Sequence, residues 1–296
     1  MLLGNIAVGL QIGMTVVLLN KSHWVRTLGL PSLFLVPVLA GVIASYVWRT
    51  LKPSVTDTLV SSLWTTLMAL GIATVVFHEG FICLLILSPI YFVAVLAGAL
   101  VGRVLFKVDR SRLHLCLIPA LAVVTLVEPM TRKDQLNVIT DEIVIHAPPA
   151  KVWPLVTAFP QIPATPGFWL FRLGLPYPKS TTTTGPFVDA DRRCIFSGNA
   201  VFKERVVEFV PSEKLTFDIL ESPPDPELVG HLTPHRGQFV LRGNSDGSTT
   251  LSGSTWYTLH VRPAWYFDLW TQHIFRAVHL RVMEDIRRRA ELPDRP

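Results

Sequence analysis

Charge and cysteine are both scarce in this chain. Of its 296 residues only 17% are charged and half are apolar, with a mean hydropathy of +0.41. A soluble globular protein carries about 25% charged residues, so an entirely water-soluble chain is excluded. Three cysteines are present: Cys83 and Cys116 within apolar stretches, and Cys194 alone in the more polar half. There is no CxxC pair, no zinc-like Cys/His spacing and no even set of cysteines, which removes disulfide scaffolds and structural zinc from consideration. No Lys or Arg precedes Lys21, so the basic region of a cleaved signal peptide is missing, and residues 2–20 are expected to be a retained span. A Gly-rich phosphate loop is absent too, since Gly243–Gly247 is a turn without a Walker pattern.

What is present is unevenly distributed. Up to Asn137 there are ten Lys/Arg against five Asp/Glu, and beyond it seventeen against seventeen. The net charge of +5 therefore sits entirely in the apolar half. Basic residues beside apolar spans are a signature of membrane insertion, so the pI near 9.3 is no argument for nucleic-acid binding, and none is expected. A span needs about 20 mostly apolar residues. Five stretches approach this: Leu2–Asn20, Pro31–Val47, Thr58–Phe77, Phe81–Phe106 and the short Leu113–Val127. The expected organisation is a bundle of about five transmembrane helices over residues 1–130, multi-pass in a membrane such as a bacterial inner membrane. A second domain is expected over residues 136–292. Six Lys/Arg on the side of the N-terminus against four on the other place the second domain outside the cytoplasm, and the count reverses if the fifth span is lost. Gly98-x-x-x-Gly102 is a small-residue pair that lets helix backbones approach closely, here expected to pack within the chain. His78-Glu79 sits in a tight turn where both side chains reach the interface, and its surroundings do not make an HExxH zinc motif.

The second half reads as α+β. Val138–Ala147 alternates like a strand and stops at Pro148-Pro149, and Pro149 suits the first turn of a short helix over Ala150–Phe159. Residues 160–191, dense in proline, read as a loop-like wrapping segment containing Phe168-Trp169-Leu170-Phe171. Strands follow at Arg193–Ser197, Ala200–Val210, Leu215–Glu221, Gly237–Arg242 and Thr249–Val261, the last two joined by a turn with Asp246-Gly247. A helix from Ala264 to about Leu292 closes the chain, with Phe267, Trp270, Ile274, Val278, Val282 and Ile286 at helical spacing. This order predicts a curved antiparallel sheet wrapped around one long helix.

Val144-Ile145-His146-Ala147-Pro148-Pro149-Ala150-Lys151-Val152-Trp153 resembles the opening strand–helix signature of the SRPBCC superfamily, the START-like proteins that include the polyketide cyclase/dehydrase group. Phe202–Pro211 followed by Lys214-Leu215-Thr216-Phe217 resembles that family's central hairpin, and the long last helix fits as well. The resemblance covers about Val138–Leu292 and leaves residues 1–130 untouched. It implies a helix-grip fold with a deep apolar cavity for lipids, polyketides or other hydrophobic molecules, and it carries no universal catalytic residue.

The expected cavity wall is Trp153, Phe171, Phe202, Phe239, Trp256, Phe267, Trp270 and Ile274, each of which is also a plain core candidate. His231 and His235 flank Pro234 in an expected loop and read as exposed rather than metal-binding. Glu204 and Arg205 point to opposite faces of one strand, so one of them faces inward and needs a partner, either a neighbouring strand or a ligand. Asp268, His273 and His279 read as surface or rim residues, and Cys194 lacks an adjacent base. No metal, cofactor or catalytic residue is expected. The leading expectation is a membrane-tethered protein that binds a hydrophobic, lipid-like molecule. An enzyme (cyclase, dehydratase or hydrolase) using Glu204, Asp218, His260 or Arg205 and a non-catalytic membrane sensor or assembly factor remain as alternatives.

Overall fold

A computed structural model describes residue 34 and residues 36–77, 80–108 and 136–293. The chain divides into two compact units, one of Met1–Lys133 with Val261–Pro263 and one of Asp134–His260 with Ala264–Pro296.

The first unit contains α1 (Val36–Trp48) with a 3-10 turn (Arg49–Leu51), α2 (Val55–Phe77) and α3 (Phe81–Val108). Both α2 and α3 are long and apolar enough to cross a membrane, while α1 and its turn are shorter. The spans expected at Leu2–Asn20 and Leu113–Val127, and the His78-Glu79 turn, lie outside the described residues. Ser54 and Asp57 form a capping box at the start of α2: the Asp57 carboxylate accepts from the Ser54 backbone N–H at 2.9 Å, and the Ser54 hydroxyl accepts from the Asp57 N–H at 3.1 Å.

The faces of α2 are inverted relative to a helix of a water-soluble core. Thr58, Ser61, Ser62, Thr65 and Thr66 are buried, whereas Leu59, Val60, Leu63, Trp64 and Leu67 are exposed. Helices in lipid pack through small and hydroxylated residues because outward-facing leucines gain nothing by leaving hydrocarbon. Where α1 and α3 cross, their backbones meet. A Cβ on Gly98 would lie 1.9 Å from the Val38 carbonyl oxygen, and one on Gly41 2.0 Å from that of Val95. Ser45 seals this crossing by donating to the Ala99 carbonyl at 2.5 Å. The Gly98-x-x-x-Gly102 pair thus packs inside the chain.

The second unit runs β1 (Leu136–Ile145), α4 (Pro149–Thr157), α5 (Trp169–Arg172), β2 (Pro178–Thr183), β3 (Asp191–Phe196), β4 (Val201–Val210), β5 (Lys214–Glu221), β6 (Leu232–Gly243), β7 (Thr249–Leu259) and α6 (Ala264–Ala290). The seven strands form one antiparallel sheet in the order β1-β7-β6-β5-β4-β3-β2. Helix α6 touches both edge strands, β1 and β2, so the sheet curls around it in a helix-grip arrangement. The core lies between the inner sheet face and the C-terminal half of α6. Ile145, Val206, Leu215, Phe217, Phe239, Leu241 and Leu251 meet Val282, Met283 and Ile286, with Trp153 and Val156 of α4 closing one side. Each such side chain, once buried, contributes about 1.5–3 kcal/mol. Gly237 makes room for its cross-strand neighbour Phe217, whose ring would lie 2.3 Å from any Cβ there.

Four expectations need correction. The 160–191 segment is not simply a loop: the threonine run forms β2, pairing Thr181 with Cys194 and Thr183 with Arg192. Arg281 of α6 also ties the segment down, donating to the carbonyls of Pro178 and Ala164 at 2.9 Å each. Strand β6 begins at Leu232, so Pro234 and His235 lie in a strand rather than a loop. Residues 232–234 pair with β7 alone, and the register shifts between Pro234 and Arg236, the setting in which a sheet tolerates proline. His231, expected to be exposed, is buried just before this strand, where its carbonyl accepts the His260 N–H at 2.9 Å. Finally, the buried stripe of α6 ahead of Val282 runs Phe267, Thr271, His279 rather than Phe267, Trp270, Ile274, Val278, because Thr271 and His279 find hydrogen-bond partners.

Candidate functional site

Two buried polar constellations interrupt the largely apolar inner face of the sheet. The first lies between β3 and β4, where Arg192 and Glu204 are directly paired in register. Arg192 is 2% exposed and Glu204 5%, and the Arg192 Nη1 donates to the Glu204 carboxylate. The Arg192 Nε also donates to the Thr157 carbonyl at the end of α4, at 3.4 Å, and its guanidinium lies 4.3 Å from the centre of the Phe217 ring. Burial pushes the Glu204 carboxyl above the usual carboxylate range, with Arg192 opposing the rise. Cys194, two residues along the same face, is buried and its thiol is pushed up to about 12, chiefly by desolvation and secondarily by Glu204. Such a thiol is inert at neutral pH.

The second constellation joins α6 to the sheet. His279 meets Asp141 of β1 through Nδ1 at 2.9 Å and Thr255 of β7 through Nε2 at 2.8 Å, all three being buried. Nearby, Tyr257 donates its hydroxyl to Asp268 at 2.6 Å and stacks at 5.0 Å against Phe275. Burial first, then the Asp268 carboxylate, raise the Tyr257 phenol. His279 and Asp268 are therefore helix-to-sheet fasteners. For the buried His279 this corrects the surface or rim position expected from sequence.

The eight cavity-wall expectations separate into groups. Trp153, Phe202 and Phe239 belong to the central core, where Trp153 meets Phe209 edge-on at 5.1 Å and Phe239 faces Phe217 at 6.4 Å. Phe171 and Phe267 are buried near α5 and the start of α6. Trp270 and Ile274 are half-buried, with Trp270 against Trp169 at 6.4 Å. Trp256 lies on the other face of the sheet, since alternation along β7 turns Tyr257 inward and leaves Trp256 beside the exposed Val138 and Arg236. It does not line the interior.

The acid–base candidates do not converge. Glu204 faces inward, whereas Arg205 pairs with Asp191 and Asp218 with Arg236, both largely at the surface. His260 meets Thr233 at 2.8 Å, and His235 meets Thr258 at 2.7 Å. Among the described residues no cluster of His, Cys, Asp and Glu could hold a metal ion. Sequence reasoning singled out Glu204 but missed Arg192, whose role appears only with the β3–β4 register.

No protein family's profile matches the chain, and no curated protein does. Solved structures do align with it. A protein from Nitrosospira multiformis has 18% identity over 51% of this chain and 94% of its own, with a TM-score of 0.36. A protein from Thermus thermophilus has 14% identity over 52% and 97%, with a TM-score of 0.37. Truncated norcoclaurine synthase from Thalictrum flavum has 13% identity over 53% and 96%, with a TM-score of 0.34.

Proposed function

We propose that this chain is a membrane-tethered, helix-grip protein that binds a hydrophobic molecule carrying one polar end. The observation that carries this reading is the Arg192–Glu204 pair, enclosed on the inner face of the sheet among Phe202, Phe217, Phe239 and Leu215. A buried ion pair is weak evidence for stability, because well-packed apolar residues often do as well or better. A pair kept there suits recognition. Arginine has five N–H donors, and its hydrogen bonds to Glu204 and Thr157 leave some of them for a guest hydroxyl or carboxylate. Removal of the guest's apolar body from water supplies about 25 cal/mol per Å². The tether reading draws support from the two long apolar helices and from the inverted faces of α2. Multi-pass insertion by about five spans, with the second unit outside the cytoplasm, belongs to the same proposal.

The test compares two fluorescent probes of equal chain length, one ending in a carboxylate and one in a methyl group. They are titrated into a fragment of residues 134–296 and into its Arg192→Met/Glu204→Leu double variant. The proposal expects saturable binding that favours the carboxylate in the parent and loses that preference in the variant. Absence of saturable binding to the folded parent would overturn it.

A further inference from the structure

We infer that the end of the second unit at which α6 begins docks on the surface of a lipid bilayer, an inference that rests on the tether proposed above. The first two turns of α6 present Trp265, 74% exposed, and Leu269, 57% exposed, one helical turn apart. Trp270, about 100° round the helix from Leu269, meets Trp169 of α5, itself 46% exposed, and Leu173 follows at the exposed end of that helix. Exposed apolar side chains grouped in this way mark an interaction surface. The opposite end of α6 carries Arg287, Arg288 and Arg289 instead.

Two observations select lipid as the partner. The first is chemistry: tryptophan combines a large apolar ring with one N–H donor and prefers the boundary between hydrocarbon and water. The second is where the chain enters. Leu136, the first residue of β1, lies opposite Thr258, six residues before α6 begins at Ala264. The aromatic end is therefore also the end at which the chain arrives from its apolar half. The last span read from the sequence stops at Val127. The intervening residues can reach at most about 30 Å when fully extended, so this end cannot stray far from the bilayer.

The test uses the full chain with Cys83, Cys116 and Cys194 replaced by serine. Single cysteines are introduced by Trp265→Cys, Leu269→Cys and, as a control on the distal half of α6, Glu284→Cys. Each variant is labelled with bimane and reconstituted in phosphatidylcholine vesicles. It is then exposed either to lipid carrying a shallow spin label or to aqueous iodide. The inference expects labels at 265 and 269 to lose most of their fluorescence to the spin-labelled lipid and little to iodide, with 284 showing the reverse. Labels at 265 and 269 that behave like 284, or that are shielded from both quenchers by a protein partner or a second copy, would overturn it. Flotation of the same vesicles after an alkaline wash separates the two proposals. A chain that floats with aqueous labels removes this inference alone, and a chain that does not float removes the tether as well.

Discussion

Replacing Arg192 by methionine leaves the Glu204 carboxyl buried without its counter-charge. Methionine keeps much of the aliphatic volume but removes the charge, the hydrogen bonds to Glu204 and Thr157, and the stacking on Phe217. Breaking a buried pair from one side costs about 3–5 kcal/mol, a large part of the ~5–15 kcal/mol that holds a domain folded. The loss should depend on pH. Burial already raises the Glu204 carboxyl, and Arg192 is what opposes that rise, so the variant's carboxyl moves higher still. A group whose affinity for protons is greater in the folded state stabilises that state most below its unfolded pKa of about 4.3, and this contribution fades as pH climbs through the folded value. The deficit of Arg192→Met should therefore be largest near neutrality and shrink toward pH 4.5. The double variant Arg192→Met/Glu204→Leu should recover most of the loss or exceed the parent by up to ~4 kcal/mol. Urea unfolding of the 134–296 fragment, followed by circular dichroism at several pH values, measures all three. A single variant that loses less than about 1 kcal/mol, or a deficit that does not change with pH, would refute the reasoning.

Gly98→Leu should disrupt the α1–α3 crossing by more than the ~1–3 kcal/mol typical of overpacking, whereas Gly71→Leu, where nothing lies within 4 Å of the new Cβ, should be tolerated; thermal aggregation of the full chain in detergent distinguishes them. His279→Ala and Asp141→Ala should each destabilise the second unit by about 1–3 kcal/mol, and a double-mutant cycle on urea unfolding should return a coupling of at least ~0.5 kcal/mol. Cys194, the one cysteine of the 134–296 fragment, should remain unreactive toward a disulfide reagent at pH 8 until the fragment is unfolded, because its thiol is pushed up to about 12.

The parts of the fold legible in the sequence were those where one physical signal acts alone. The alternation of β1 and β7, the Pro148-Pro149 stop and the Asp246-Gly247 turn all appear where local chemistry demands them. The failures have a common cause: a local signal overruled by a pairing that sequence does not display. Pro234 argues for a loop, yet β6 begins before it because its first residues lack a β5 neighbour to miss the N–H. The Thr181–Thr184 run lay hidden among prolines, though threonine is a good edge-strand residue. Apolar periodicity alone rotates α6 ahead of Val282 by about one position, since its true inner stripe includes Thr271 and His279, each with a partner. The same limit applied to the interior. Alternation identified Glu204 as one of two residues of which one must face inward, but Arg192 became its partner only through the β3–β4 register. Trp256 differs for the opposite reason: its ring suits a cavity wall, but its own strand's alternation turns it away from the helix.

Native mass spectrometry of the 134–296 fragment, purified from its expression host, tests the central claim most directly. The account predicts a discrete adduct that is released on denaturation as an apolar molecule with a hydroxyl or carboxylate end, and that is depleted in the Arg192→Met/Glu204→Leu variant. A folded fragment with a clean unliganded mass, which also fails to take up apolar molecules from a lipid extract, would contradict it.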